Sequence, residues 1–140
     1  MAEDFGFSDF FIVTPDLVWI AGKDGFIKNV NPAVCRKLGY SLEELVNKPV
    51  KDFIHPADIE KTLQNRFRLF QGDVLYNFCN RYISKAGDII WLEWTSVFIE
   101  ERGIVLGIAK DITDRKKIEE EVESEYIKFK GLASHFKNLM

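Results

Sequence analysis

Cysteine and histidine have the widest chemical repertoire of the side chains in this sequence, and the chain carries only two of each. Cys35 and Cys79 stand apart, without the closely spaced cysteines and histidines that zinc sites and c-type haem attachment require. His55 precedes a proline, which is typical of a helix start, and His135 lies near the end of the sequence. We therefore predict no metal site, no disulfide framework and no enzymatic activity in this segment, and we expect both cysteines to be small buried apolar residues.

A polar junction offers a different chemistry, because Asp111 and Thr113 stand where an apolar β-prone run becomes a charged helix. The turn frees backbone amides at the helix start, and Asp and Thr side chains accept hydrogen bonds from such amides. Arg115 and Lys116 follow within one helical turn, so we expect Asp111 also to pair with a cation. Because the strand passes straight into the helix, we predict that Asp111, Thr113 and Arg115 relay a signal out of the sheet.

The elements that would position this junction are three β-prone runs joined by segments of hairpin length: Val74–Ile83, Ile89–Ile99 and Ile104–Ile112. They predict consecutive antiparallel strands. The middle run is apolar on both faces, one formed by Leu92, Trp94 and Phe98 and the other by Trp91, Val97 and Ile99. Helices can cover one face, so we expect the N-terminal segment, the exit helix or a second copy of the chain to cover the other.

The start of the chain predicts an apolar segment and a hairpin. Residues 1–16 are rich in phenylalanine, with Ser8 and Asp9 as candidate helix caps, so we expect them to lie against another apolar surface. Leu17–Ala21 and Phe26–Val30 are β-prone runs around an Asp-Gly turn, which predicts two antiparallel strands.

Three helix starts follow, at Asn31-Pro32, at the capping box of Ser41 with Glu44, and at His55-Pro56. The third opens the one long helix of the domain. Its spacing predicts a core-facing stripe of Ile59, Leu63, Phe67 and Phe70.

Composition limits the functional classes. The chain of 140 residues is 46% hydrophobic and 14% aromatic, which predicts one well-filled domain. Its formal charge of −3 includes no basic stripe, so we expect no nucleic-acid contact. There is no long apolar run and no signal-peptide pattern, so we expect no membrane contact, and the isolated cysteines fit a reducing cytoplasm.

A helix rich in Glu and Lys follows Asp114. If Ile118 takes heptad position d, the a and d positions are apolar apart from Glu125; the others are Val122, Phe129, Leu132, Phe136 and Leu139. This pattern predicts either a coiled coil or the start of a helical bundle, or else an amphipathic helix docked on the domain.

Three stretches resemble the PAS sensory domain family in their order and spacing: Asn29–Asp58 (NVNPAVCRKLGYSLEELVNKPVKDFIHPAD), Ser84–Glu93 (SKAGDIIWLE) and Gly107–Glu120 (GIAKDITDRKKIEE). The resemblance implies an α+β PAS fold, a five-stranded antiparallel sheet with helices on one face around a ligand or cofactor pocket, plus a C-terminal amphipathic signalling helix. On this basis we expect an N-terminal cap over residues 1–16, a core over 17–113 and a linker helix over 114–140. Such domains commonly sit in bacterial sensor histidine kinases and related two-component signalling proteins, and they usually dimerise.

The resemblance also bears on cofactors. Light-sensing flavin members carry a reactive cysteine after the second short helix, but Asn47–Val50 has none, and Tyr82, Leu92 and Ala109 stand at the positions of the flavin-holding amides. It therefore implies no flavin adduct photocycle, while FAD held in another way stays open. Haem-binding members use a histidine on the long helix, and Ile59–Gln71 contains none. The cofactor, if there is one, is left unknown.

If a small molecule binds, we expect an apolar pocket with a few polar groups. Its predicted lining is Leu38, Phe53, Phe67, Phe70, Phe78, Tyr82, Leu92 and Trp94. The alternative is that these side chains simply fill the core.

His135 is the one residue that resembles a catalytic group, because Phe129 precedes it as in the phosphoacceptor helix of histidine kinases. The resemblance ends there, since Phe136 replaces the acidic neighbour that activates such a histidine. Three functions follow: a sensory module that signals to an output domain, a ligand-free dimerisation or relay module, and a kinase fragment with His135 as phosphoacceptor.

Overall fold

The computed structural model describes residues 5–139, and side chains up to residue 135. It contains one antiparallel sheet of five strands in the order β2-β1-β5-β4-β3. The strands are β1 (Leu17–Gly22), β2 (Ile27–Val30), β3 (Leu75–Ile83), β4 (Ile89–Ile99) and β5 (Ile104–Asp111). The helices are α1 (Phe7–Val13), α2 (Pro32–Leu38), α3 (Leu42–Leu45), α4 (Ile59–Phe70) and α5 (Thr113–Leu139). The predicted α+β fold, with its five-stranded antiparallel sheet and C-terminal helix, is confirmed.

The last strand, β5, lies in the middle of the sheet. It pairs with β1 on one side, where Trp19 lies opposite Gly107, and with β4 on the other, where Trp94 lies opposite Ala109. The hairpins predicted from the turn signals are present on either side of it. Because α5 begins immediately after β5, the exit helix leaves from the centre of the sheet and not from an edge.

Asn31 anchors the first helix to the sheet, as the cap signal predicts. Its side-chain oxygen accepts hydrogen bonds from the amides of Val34, inside α2, and Val18, inside β1. Its amide group donates to the carbonyl of Asp16, and the residue is fully buried. A buried polar side chain needs such partners, so Asn31 fixes both the start of α2 and its position over β1.

The other predicted helix starts have the expected hydrogen bonds. The hydroxyl of Ser41 accepts from the amide of Glu44, whose carboxylate accepts from the amide of Ser41 in return. The Nδ1 atom of His55 accepts from the amide of Ala57, so His55 is a cap in the structure.

Helices α2 and α3 and two short 3-10 turns cover one face of the sheet, where a buried cluster forms the main core: Leu17, Trp19, Ile27, Val30, Val34, Leu38, Leu45, Phe53, Ile54, Tyr82, Leu92, Trp94 and Ala109. Leu69, Leu75 and Val105 form a second, smaller cluster under α4. Side chains alternate between the faces along β4, with Leu92 and Trp94 buried, as the sequence pattern predicts.

The predicted inner stripe of α4 is wrong at two positions. Phe67 is 62% exposed and Leu63 is also exposed, whereas Leu69 is only 4% exposed. Successive helical residues are rotated by about 100°, so the turn that brings Leu69 onto the sheet sends Phe67 outward. The inner face of α4 therefore contains the polar residues Thr62 and Arg66, which a search for apolar periodicity passes over.

The N-terminal segment also differs from expectation. Helix α1 begins after Gly6, whose amide donates to the carboxylate of Asp9, so Ser8 is not the cap. The expected contact with another apolar surface is missing for several of its side chains within one chain, because Phe5, Phe7, Ile12 and Val13 are exposed.

Helix α5 makes contacts with β4 near its start and extends away from the sheet. Its predicted apolar seam is exposed along the described part, with Phe129 at 70% and Leu132 at 59%. The side chains of Phe136 and Leu139, which continue the predicted seam, lie outside the described residues. The alternative of an amphipathic helix docked along its own domain is therefore wrong for the described part of α5.

Replacing Leu69 and Phe67 by alanine tests the orientation of α4. We expect Leu69→Ala to lower the free energy of unfolding by about 2 to 5 kcal/mol, because it leaves a cavity in the smaller cluster. We expect Phe67→Ala to change it by less than about 1 kcal/mol, because that side chain is in solvent. Denaturant titration at low protein concentration measures both, and similar losses for the two variants would contradict this orientation.

Candidate functional site

A cavity of about 90 Å³ lies between α4 and the helix-covered face of the sheet. Every strand except β2 contributes to it, together with α4 and the turn at Val50. Its lining comprises Trp19, Ala21, Val50, Thr62, Asn65, Arg66, Leu69, Leu75, Phe78, Asn80, Tyr82, Trp94, Ser96, Val105 and Gly107. The wall is therefore largely apolar with a few polar groups, which is the composition of small-molecule sites.

The indole of Trp94 is fixed by a chain of hydrogen bonds that reaches α4. Its Nε1 donates to the side-chain oxygen of Asn80 at 2.7 Å, and the Asn80 amide donates to the hydroxyl of Thr62. That hydroxyl donates in turn to the carbonyl of Asp58. These hydrogen bonds connect β4, β3 and α4 around the cavity. A displacement of Trp94 would therefore change the hydrogen bonds at the start of α4.

Gly107 allows the Trp94 ring to approach the backbone of β5 closely. A Cβ atom at this position would be 2.9 Å from Cζ3 of the Trp94 ring, closer than real side chains approach. Trp94 also lies against Trp19 and Tyr82, with ring centroids at 6.1 and 5.8 Å. The three rings form one wall of the cavity.

Two residues that line the cavity carry N–H donors without a full set of hydrogen-bond acceptors. The Nε1 atom of Trp19 is buried and has no hydrogen-bond partner within the described part of the chain. Arg66 donates from Nη2 to the carbonyls of Gly22 and Lys23 and makes no ion pair among the residues that the structure describes. Burial lowers the pKa of Arg66, which means that its surroundings solvate the cation poorly. Burial raises the pKa of the Tyr82 phenol, although the nearby positive charge of Arg66 acts to lower it.

The structure brings together only part of the pocket predicted from sequence. Phe78, Tyr82 and Trp94 line the cavity. The other predicted residues do not line it: Leu38, Phe53 and Leu92 fill the main core, Phe70 packs edge-on against Phe98, and Phe67 is exposed. Trp19 lies in the apolar run predicted as a strand, but nothing in the sequence singles out Trp19, Arg66 or Asn80 as lining residues.

The positions that correspond to flavin-holding amides carry no such amide. Tyr82, Leu92 and Ala109 are all buried in the main core, and the side chain of Asn80 is already engaged with Trp94 and Thr62.

No group of three or more candidate metal ligands occurs in the described range. Cys35 and Cys79 are half-buried, less than predicted, and burial raises the pKa of each thiol.

The junction between β5 and α5 is a compact polar cluster. Asp111 accepts hydrogen bonds from the amide and the hydroxyl of Thr113, as predicted for a helix start. The Thr113 hydroxyl accepts from the amide of Trp91 at 3.0 Å, and the amide of Ile112 donates to the Trp91 carbonyl at 2.9 Å. The first turn of α5 is thus attached to β4 by two hydrogen bonds.

The cation that pairs with Asp111 is not the expected one. Lys37 of α2 approaches its carboxylate at 2.8 Å, whereas Arg115 pairs with Glu93 of β4 at 3.0 Å. Burial opposes the ionisation of Asp111, but its bonds to Lys37 and Thr113 outweigh this effect and lower its pKa. Asp111 therefore joins three elements, α2, β5 and α5.

A second set of contacts reaches α5 from the other side of the sheet. Buried Asp58, just before α4, accepts from Arg81 of the edge strand β3 through its backbone amide, Nε and Nη2. The guanidinium of Arg81 lies 5.2 Å from the centre of the Trp91 ring, and the ammonium of Lys116 in α5 lies 4.9 Å from the same ring. Trp91 is thus in contact with cations from β3 and α5.

Comparison with known proteins gives a family match. The family model described as PAS fold matches residues 27–110. A probable diguanylate cyclase of Escherichia coli is 34% identical over 73 residues, which cover 51% of this chain and 7% of that protein. A methyl sulfide methyltransferase-associated sensor of Methanosarcina acetivorans is 29% identical over 107 residues, covering 74% of this chain and 11% of that protein. The chain thus spans a small fraction of the length of these relatives.

Among solved structures, a PAS domain from Colwellia psychrerythraea is 28% identical. It superimposes with a TM-score of 0.68 over 76% of this chain and 94% of that one. No helix in the described range is both long and apolar enough to cross a membrane. The chain belongs to the PAS family, as a sensory domain of the kind found in sensor kinases and related signalling proteins.

Proposed function

We propose that this PAS domain binds a small molecule in the cavity and passes the event through the Asp111–Thr113 junction to α5, which drives an output domain. The observation that carries this proposal is that cavity and junction share the same two strands. Trp94 and Gly107 line the cavity, and further along the same strand pair Leu92 lies opposite Asp111. A ligand that shifts Trp94 therefore acts on the strands to which the first turn of α5 is attached.

The junction is built to respond to such a shift. The hydrogen bonds from Trp91 to Thr113 and from Ile112 to Trp91 set the direction of α5 relative to β4. The ion pair of Lys37 with Asp111 sets it relative to α2. If β4 slides slightly against α2, the hydrogen bonds to Trp91 and the ion pair with Lys37 cannot both keep their present geometry. Helix α5 must then tilt or rotate.

The contacts through Trp91 offer a second connection, from α4. The hydrogen bonds of Asp58 hold Arg81 at the sheet edge, and the cations over the Trp91 ring link Arg81 to Lys116. A ligand that moves α4 would thus alter the support of α5 on the outer face of the sheet.

We propose a histidine kinase as the output domain, in a cytoplasmic two-component protein. The chain's relatives include both a sensor and a probable diguanylate cyclase, which supports PAS-to-output coupling in general. His135 is exposed on α5, and no contact favours it as the phosphoacceptor itself. We keep the proposed boundaries of an N-terminal cap (1–16), a sensory core (17–113) and a linker helix (114–140).

We further propose that the domain works as a homodimer. Two apolar surfaces support this: the described part of the α5 seam, and the outer sheet face, where Val97, Leu106 and Ile108 are only half-buried. Exposed apolar surface of this extent is typical of interaction sites. The alternative of a ligand-free relay module would use the same two surfaces with the cavity left as part of the core.

Asp111→Ala in the full-length protein tests the relay. We expect output to lose its dependence on the stimulus, because the bonds of Asp111 to Thr113 at the start of α5 and to Lys37 of α2 are lost. The isolated domain should stay folded, with a loss of about 1 kcal/mol for the helix cap. The measurement is output activity with and without stimulus, beside the unfolding free energy of the domain.

Asp114→Ala is the matched control for this variant. Asp114 is an exposed acidic residue in the same helical turn, and we expect its removal to leave stimulus-dependent output intact. A normal response in Asp111→Ala would reduce Asp111 to a helix cap.

The ion pair of Asp58 with Arg81 predicts a pH-dependent contribution to stability. The hydrogen bonds from Arg81 lower the pKa of Asp58 below its ordinary value of 3.8. The stabilisation is therefore complete above pH 3.8 and is lost as the pH falls through the lower folded-state pKa. We expect Asp58→Asn to lower the free energy of unfolding by about 2 kcal/mol at pH 7, and by progressively less as the pH falls below 3.8.

Urea denaturation across pH measures this difference between wild type and variant. Asp73→Asn serves as the control, because Asp73 forms an exposed pair with Arg68 and should contribute less than about 1 kcal/mol at any pH. A cost for Asp58→Asn that is the same at pH 7 and at the acid end would contradict an ionised Asp58 in the native state.

Self-association can be measured by analytical ultracentrifugation at high micromolar concentration. We expect a dimer that Leu132→Glu weakens at least tenfold, because it places a charge in the α5 seam. Ser134→Glu introduces the same charge away from the seam and should have no effect. A monomeric mass for the wild type would refute dimerisation, and a dimer sensitive to Val97→Glu but not to Leu132→Glu would move the interface to the sheet.

A further inference from the structure

We propose that the cavity ligand is a small monocarboxylate, bound by the guanidinium of Arg66 and the indole N–H of Trp19. This inference rests on the proposed ligand-sensing function and names its ligand class. It follows from the chemistry of the cavity wall, in which polar groups that need an acceptor lie beside an otherwise apolar surface.

The indole N–H of Trp19 is the first indication. Trp19 is 4% exposed, lines the cavity, and its Nε1 atom has no acceptor in the described part of the chain. Buried polar groups in native proteins nearly always have a partner, so an orphan donor on a cavity wall indicates an acceptor that the cavity contents supply. Trp94, the other indole of the wall, shows the satisfied case, since Asn80 accepts from it.

The guanidinium of Arg66 is the second, independent indication. Arginine has five N–H donors, and here Nη2 alone is engaged, by the carbonyls of Gly22 and Lys23. No carboxylate of the described residues pairs with it, and no acidic residue lines the cavity. The Nε and Nη1 donors have no acceptor among the described residues, and each can donate a single charge-assisted hydrogen bond to a carboxylate.

Charge balance favours an anion over a neutral acceptor. Arg66 is desolvated by its position, and its lowered pKa has burial as the main cause. The negative charge of Asp24 on the neighbouring turn partly opposes the lowering of the Arg66 pKa, but its carboxylate bonds to Lys28 and to the amide of Phe26 and forms no ion pair with Arg66 among the described residues. A ligand carboxylate would supply a counter-charge at close range to this half-buried cation.

Size and shape limit the rest of the ligand. Leu69, Leu75, Phe78 and Val105 form the apolar remainder of the wall. The cavity volume of about 90 Å³ is smaller than the roughly 150 Å³ of an engineered cavity that holds benzene. One cation and a short apolar space together fit a short-chain monocarboxylate, and they do not fit a dicarboxylate or a large ring system.

Calorimetric titration of the full 140-residue chain with linear monocarboxylates from propionate to octanoate tests this inference. Each acid is compared with its matched primary amide at the same ionic strength, set with sodium chloride. We expect the best acid to bind at least tenfold more tightly than its amide and to change the tryptophan fluorescence. The ratio of acid to amide affinity is the readout, because it is insensitive to a general loosening of the domain.

Three variants assign the donors. We expect Arg66→Gln to abolish the preference for acid, Arg66→Lys to restore part of it, and Trp19→Phe to weaken acid binding several-fold while leaving some preference. Arg68→Gln is the matched control: Arg68 lies on the same helix but is exposed and pairs with Asp73, so the preference should be unchanged.

The outcomes separate this inference from the proposed function. Amides that bind as tightly as acids, or a preference that survives Arg66→Gln, would overturn the carboxylate assignment while ligand sensing stands. If neither acids nor amides bind, this inference is refuted, whereas stimulus-dependent output that survives Asp111→Ala removes Asp111 from the relay and bears only on the proposed function.

Discussion

The close contact of the Trp94 ring with the backbone of β5 is the constraint on which the functional features of this domain depend. Only glycine at position 107 leaves room for the indole, and only an acceptor at Asn80 satisfies the indole N–H in a buried position. Since Asn80 is itself held by Thr62, the spacing between α4 and the sheet is set by this contact. The cavity is the space that remains between α4 and the aromatic wall of Trp19, Tyr82 and Trp94.

The order of the strands in the sheet connects this contact to helix α5. Because β5 lies between β1 and β4, every cavity-facing strand apart from β3 is hydrogen-bonded to the strand that leads into α5. An exit helix on an edge strand would be influenced by one neighbour, whereas this one is supported by β4 through Trp91 and by α2 through Lys37. The topology thus makes β5 the common neighbour of the cavity and of helix α5.

Local chemistry made much of the fold predictable. The caps at Asn31 and Ser41 depend on side chains a few residues from the amides they bind, so their sequence signals correspond directly to structure. The failures have a different origin. Phe67 follows the apolar spacing of α4, but the side of a helix that meets the sheet is decided by tertiary packing, and here polar Thr62 and Arg66 occupy it. The partner of Asp111 was likewise missed because Lys37 comes from a distant part of the chain.

The strengths of the contacts around α5 agree with a relay. A coupling free energy of about 1 to 3 kcal/mol is enough to switch a signalling domain. The pairs of Asp111 with Lys37 and of Arg115 with Glu93 are partly exposed, so each contributes less than about 1 kcal/mol, and a modest strand movement can exchange them. Asp58 is different, because its carboxylate is buried and accepts three hydrogen bonds from Arg81. It therefore fixes the sheet edge under Trp91, and the exposed pairs at the junction are the contacts that give way first.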